Sequence, residues 1–404
     1  MRNGIFIVLL LINAFACFGQ SNHIIVEGKV VDSITKEPLA YVNIYTDNYQ
    51  GTISNSEGDF TLKVDSATKF VSISFLGYRK KEYAITAIPH IIEMHPVPFE
   101  LKEVVVKPVD VNKFVQQLID KYKHIIKLKN KEPASFFYRQ TTVTDTTCNE
   151  ILEAFFGANS LIGVHNLDLQ TGRYAKLRSD SLNRYFTFTN FFIFSQITPF
   201  REKKLKKKNV IVPLQSGFRK YYKFSIDILE NAENGALTYK LNFVPLRGIN
   251  RPILQGNLWI DPKNLFILKF DGKILNMPLK VSDKGAVVKN NTIHFTVQYD
   301  TNKRVPVVKT VNINDRFIAV YQAKKLKVEL QIHSILFNTG DKHQLNNNIK
   351  VKSKSFLLSK IIHSQYDSSF WSENPIIRRT PLEKDAIKIF EKKNLFGTYQ
   401  EKHP

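Results

Sequence analysis

The 404 residues hold 58 Lys and Arg against 36 Asp and Glu, a formal charge of +22, with 43% hydrophobic residues and two cysteines. That length is enough for two or three packed cores. Cys17 lies in or beside an N-terminal leader that could end after Gly19 or after Ala16; if Cys17 is removed with it, no intrachain disulfide is possible, and Cys148 is expected to be a small buried hydrophobe.

Residues 1–19 read as a secretory signal peptide: Arg2, the apolar run Ile5 to Ile12, then the small residues Ala14, Ala16 and Gly19. Eight strongly apolar residues are too few to span a bilayer, and no later stretch reaches eighteen. A lipid anchor at Cys17 is disfavoured by Phe15, which stands where a lipobox wants a small or short aliphatic side chain. An exported basic chain meets anionic lipid, lipopolysaccharide or acidic glycan, so these are the expected partners and nucleic acid is not.

Residues 20–96 read as a β-sandwich of about seven short strands. Phe60, Leu62 and Val64 alternate with polar neighbours, as do Val71, Ile73 and Phe75. Gly58 after Asn55-Ser56-Glu57 predicts a hairpin turn with positive φ. The polar run from Asp47 to Asp59 lacks EF-hand spacing and reads as a plain turn.

Val26-Glu27-Gly28-Lys29-Val30-Val31-Asp32, Pro38-Leu39, Val42, Ile44, Gly51-Thr52, Asn55, Gly58, Phe60, Leu62 and the closing Phe75-Leu76-Gly77-Tyr78 together resemble the carboxypeptidase-regulatory-like domain. The resemblance implies a transthyretin-type β-sandwich, common at the start of exported proteins from Bacteroidetes-type Gram-negative bacteria. It also implies an accessory role without catalytic residues. Glu100-Leu101-Lys102-Glu103-Val104-Val105-Val106 is similar to segments that follow this domain in outer-membrane transporters. About 300 residues remain beyond it, too few for a plug and a barrel of about 22 strands. A short strand or linker is expected instead.

Residues 97–132 are read as linker and helix. Asp110 caps a helix whose Val111, Phe114, Val115, Leu118, Tyr122, Ile125 and Ile126 share one stripe, the pattern of a helix docked on a sheet. Residues 133–358 form the second expected domain, a larger curved antiparallel β-sheet with a few helices, so the fold class is mainly β. Its clearest hairpin is Gly256 to Ile260, the turn Asp261-Pro262-Lys263-Asn264, and Leu265 to Phe270. A strand ending near Pro245 and followed by this Trp259-Ile260-Asp261 hairpin resembles the periplasmic lipoprotein-carrier group, whose half-barrels wrap helices. It also resembles the pre-barrel region of uncharacterised bacteroidetal envelope proteins. In the segment 359–404, Phe370-Trp371-Ser372-Glu373-Asn374-Pro375-Ile376-Ile377 is similar to the close of those proteins' soluble parts. Thr380-Pro381-Leu382-Glu383 is a capping box opening a last helix, with Ile387 and Phe390 on its apolar side.

Chemistry-bearing motifs are sparse. The ten histidines show no zinc spacing, His165-x-x-Asp168 falls in an expected loop, and there is no nucleophile elbow, Walker loop or dinucleotide turn. No catalytic, metal or cofactor residue is assigned. The candidate ligand-binding residues are the aromatics Phe188, Phe191, Phe192 and Phe194, which would line an apolar cavity for acyl chains. Lys203, Lys204, Lys206, Lys207 and Lys208 would meet an anionic head group. The bland alternatives are a strand buried on both faces and a solvated basic loop. The functional expectation is a non-enzymatic cell-envelope protein that binds or scaffolds, carrying an anionic lipid or glycolipid in the β domain. The rival expectation is an adaptor docking an outer-membrane partner through its sandwich, and an uncharacterised hydrolase comes third.

Overall fold

The computed structural model describes residues 23–47, 50–101, 110–127, 133–177, 197–201, 210–232, 234–278, 286–321, 325–340, 349–350, 359–361, 366–373 and 376–397. They divide into two compact units, one within Met1–His95 and Ser369–Arg378, the other within Pro96–Ser368 and Arg379–Pro404.

The first unit is a seven-stranded β-sandwich. Strands β1 (His23–Asp32), β4 (Asp59–Asp65) and β7 (Ile91–Met94) form one sheet in the order β4-β1-β7. Strands β2 (Asn43–Thr46), β3 (Gly51–Ile53), β5 (Phe70–Ser74) and β6 (Lys81–Ala84) form the other, in the order β3-β2-β5-β6. Val30, Phe60, Leu62 and Ile92 from one sheet bury against Val42, Ile44, Val71 and Ile73 from the other, as alternation in short strands requires.

Two motif residues explain each other. The Tyr78 hydroxyl donates to Asp32 Oδ2 at 2.8 Å, while Asp32 Oδ1 accepts from the backbone N–H groups of Ile34 and Thr35. One carboxylate therefore ties the turn after β1 to the segment after β5.

Gly58 has φ +78°, and a Cβ there would lie 2.5 Å from the Val30 carbonyl oxygen. The Asn55 side chain accepts from Glu57 and Asp59, building the turn around it. The expected hairpin is corrected, however: β3 pairs with β2 and β4 with β1, so this turn carries the chain from one sheet to the other. Local turn chemistry is the same in both cases, so it does not reveal whether the flanking strands pair. The chain returns to this unit near its end, where the Ile376 carbonyl accepts from Thr52 Oγ1 and Arg378 Nη1 lies 3.4 Å from Glu27 Oε2.

The second unit is built on a twelve-stranded antiparallel sheet. Its strands are β8 (Phe99–Leu101), β9 (Pro133–Thr144), β10 (Thr147–Asn159), β11 (His165–Lys176), β12 (Tyr222–Asn231), β13 (Leu237–Pro245), β14 (Ile253–Asp261), β15 (Phe266–Leu275), β16 (Ala286–Asp300), β17 (Val307–Tyr321), β18 (Leu326–Asn338) and β19 (Ile349–Lys350). They run in the order β19-β11-β10-β9-β18-β17-β16-β15-β14-β13-β12-β8. The expected hairpin is present: Asp261 Oδ1 accepts from Lys263 N and Asn264 Oδ1 from Phe266 N. Gly256 and Gly272 face each other across β14 and β15, where a Cβ on Gly256 would lie 1.9 Å from the Asp271 carbonyl oxygen. Only glycine permits that approach.

The inner face of this sheet packs on the helix Val111–Lys127. Asp110 caps it through Lys113 N at 3.1 Å, and Phe114, Val115, Leu118, Tyr122 and Ile125 are buried as the stripe requires. The buried Tyr122 hydroxyl accepts from Ile267 N, pinning the helix to β15. On the outer face, the helix Pro381–Lys392 lays Ala386, Ile387 and Phe390 against Cys148 and Ile151 of β10 and Ala175 of β11. Its capping box is complete, with Thr380 and Glu383 each satisfying the other's backbone N–H. Cys148 is buried, and burial pushes its thiol up to about 12, so it packs as a hydrophobe. None of the helices among the described residues is long and apolar enough to cross a membrane.

One expectation is overturned by pairing. His165 and Asp168 lie on β11, a full partner of β10, and not in a loop. The segment Asn166, Asp168, Gln170, Thr171 hides its alternation, and a register shift at Phe155/Phe156 breaks the period further.

Candidate functional site in the large sheet

Phe188, Phe191, Phe192 and Phe194, together with Lys203, Lys204, Lys206, Lys207 and Lys208, lie outside the described residues. The described sheet carries a different site, made of polar side chains standing in the apolar phase of its strands.

On β17, Val311, Ile313, Phe317, Ala319 and Tyr321 all point to the inner face, and Asp315 occupies the one polar position in that series. On β18, Ser334 stands between Ile332 and Leu336; on β9, Gln140 and Thr142 continue the face begun by Phe136 and Tyr138. Strand register sets these residues in two rows. Asp315, Ile332, Thr142, Glu150 and Lys176 are successive cross-strand neighbours on β17, β18, β9, β10 and β11. Beside them run Ile313, Ser334, Gln140, Leu152 and Tyr174. The rows lie between the core over the long helix and a second apolar cluster containing Phe317 and Leu330, which Ile332 of the first row joins.

Part of this band is internally satisfied. Tyr138 donates to Gln140 Oε1 and Tyr174 to Glu150 Oε1, both within 2.8 Å. Burial pushes the Lys176 ammonium down, and Glu150 opposite it works against that shift. The other end is not satisfied. Asp315 Oδ1, Ser334 Oγ and Thr142 Oγ1 are buried without a hydrogen-bond partner, in residues 2%, 0% and 2% exposed. Desolvation pushes the Asp315 carboxyl up to about 7, with no cation to offset it. Unpaired buried oxygens are rare in folded proteins, because each forfeits about 1–3 kcal/mol of hydration without return. The three lie on one patch of the sheet, where a hydrogen-bond donor would satisfy them.

The sequence carried a signal for these residues: Asp315, Ser334 and Thr142 interrupt the apolar phase of otherwise regular alternation.

The outer face carries a contrasting cluster that is fully paired at its centre. Glu153 accepts from Arg139 Nε at 2.6 Å and from Arg173 Nε at 2.8 Å, its two direct cross-strand neighbours. Arg379 lies 3.7 Å away, and Glu383 of the capping box lies 3.4 Å from Arg139. Burial alone would raise the Glu153 carboxyl, but Arg173, Arg139 and Arg379 overcome it and hold the group far below the usual carboxylate range. Such a cluster locks the last helix to the sheet and has no open acceptor at Glu153.

Comparison with known proteins agrees with the first unit alone. The family model for the CarboxypepD_reg-like domain matches residues 26–106, about a fifth of the chain, and this type of domain is non-catalytic. No curated protein and no solved structure matches the chain.

Proposed function

We propose that the protein is a non-enzymatic binding protein of the cell envelope, in which the large sheet takes an amphiphilic ligand and the sandwich is an accessory module. One observation carries this reading: buried, unpartnered oxygens of Asp315, Ser334 and Thr142 set between two apolar clusters of one sheet face. Binding sites for amphiphiles combine predominantly apolar walls with a few convergent polar groups. The leader-like residues 1–19 favour an envelope setting, where a lipid or glycolipid is the amphiphile at hand. Native mass spectrometry of gently purified full-length protein tests this. A co-purified lipid mass, or uptake from added lipid, supports it; a bare protein mass with no uptake removes it.

A second reading is favoured by β6, which ends its sheet and pairs with β5 alone among the described residues. An extended segment of an envelope partner would add there as a further strand. Such a partner would slow amide exchange at Lys81–Ala84, and unchanged exchange in the complex would count against strand addition.

A further inference from the structure

We propose that the inner-face site of the large sheet binds a primary ammonium group, held by Asp315, Ser334 and Thr142. The inference rests on the amphiphile-binding reading and names the chemistry of the group recognised.

The first argument is charge. Within the row Asp315, Ile332, Thr142, Glu150, Lys176, two acids face one base, and that base stands directly opposite Glu150. Lys176 is four strands from Asp315, roughly 19 Å at the usual strand spacing. It cannot neutralise Asp315 at that range. A ligand carrying a carboxylate or phosphate to this spot would bring like charge into a desolvated patch, which is strongly unfavourable. A cation would supply the missing partner.

The second argument is the number and type of donors. The site offers three unpartnered oxygens, and a primary ammonium has three N–H donors and no acceptor. Asp315 and Thr142 flank Ile332, and Ser334, two residues along β18, lies diagonal to both at about 7–8 Å between backbones. A primary ammonium seated between these strands is the smallest group that offers one donor to each oxygen. An alcohol would satisfy one oxygen, and a planar guanidinium spreads its five donors too widely for one patch.

The third argument is the surroundings. Ile293 and Ile313 are cross-strand neighbours of Asp315 and Ser334, and Phe317 follows on the same face. An ammonium reaching this point is best delivered on an apolar carrier. The amine could belong to a lipid head group or be a free small amine, and the test separates these sources.

The experiment is titration calorimetry of the full-length protein with decylammonium, 1-decanol and decanoate, and with ethanolamine as the tail-less amine. Decylammonium is expected to bind at least about tenfold more tightly than either other decyl probe. Asp315→Asn should erase that preference, bringing decylammonium binding to the level of 1-decanol. Competition by ethanolamine would assign the site to free amines; its failure to compete would assign it to an amine on an apolar carrier. Equal binding of the three decyl probes, or an unchanged preference in Asp315→Asn, overturns the ammonium assignment while leaving amphiphile binding standing. Binding of none of them overturns both. Should Asp315→Asn not fold, Ser334→Ala and Thr142→Val must each weaken the preference several-fold, and no change in either overturns the proposal.

Discussion

Thr142 on β9 and Asp315 on β17 flank Ile332 of β18 on the same face of the large sheet, and neither Thr142 Oγ1 nor Asp315 Oδ1 has a hydrogen-bond partner. A sheet built for stability alone would place hydrocarbon at both positions. Keeping them polar sacrifices stability for something else, the usual signature of a site.

That trade-off gives the first prediction. Asp315→Asn should raise stability at neutral pH, because it removes a buried charge without a counter-charge and keeps the side chain's volume. With the folded carboxyl at about 7 and its unfolded value near 3.8, the native state holds the extra proton between those limits. Stability of the parent protein should therefore fall as pH rises from about 4 to about 7, by at most about 4 kcal/mol, and level off above. Denaturant melts across that range should show the slope in the parent and its loss in Asp315→Asn.

Glu153 should behave in the opposite sense. Its folded carboxyl lies below the unfolded value, so its contribution is complete at neutral pH. The contribution begins to be lost as pH falls through about 5, where the unfolded carboxyl, with its ordinary value of 4.5, starts to take up protons, and it goes on falling below that. Glu153→Ala should leave Arg139 and Arg173 buried without their anion and destabilise the second unit by about 3–5 kcal/mol. Denaturant melts measure the loss, and amide exchange across Pro381–Lys392 should rise with it.

Much of the architecture was legible because it is written in local periodicity. The stripe from Phe114 to Ile125, the Asp261–Asn264 turn and the Thr380/Glu383 box depend on residues within a few positions of one another. Strand β11 was missed because its polar residues and register shift obscure the period. The exchange of sheets after Gly58 was misread because strand partnership is a long-range property. The site was missed for the same reason: Thr142 joins Asp315 and Ser334 only through the pairing of β9 with β18, about 190 residues away in sequence. Two earlier candidates, the Phe188–Phe194 aromatics and the Lys203–Lys208 run, fall outside the described residues.

The Tyr78–Asp32 bond predicts a modest effect confined to the sandwich. Tyr78→Phe keeps the ring and removes the donor, for a loss of about 1–2 kcal/mol. Faster amide exchange at Ile34 and Thr35, with unchanged exchange on β9 and β10, is the expected pattern.

Gly256→Ala should be severe for a one-carbon change. The new Cβ would sit on the Asp271 carbonyl oxygen, and its three nearest atoms are all backbone of Asp271 and Gly272, which cannot swing aside as a side chain would. The expected loss is about 3 kcal/mol, read from thermal or denaturant melts, with disruption spreading along β14 and β15.

The most direct measurement is the titration of the Asp315 carboxyl itself, followed by carbon NMR in full-length protein with and without decylammonium. The account predicts a midpoint near 7 in the free protein, falling by at least about two units when the amine binds. A midpoint already below about 5 without ligand, or one that the amine leaves unmoved, would contradict it.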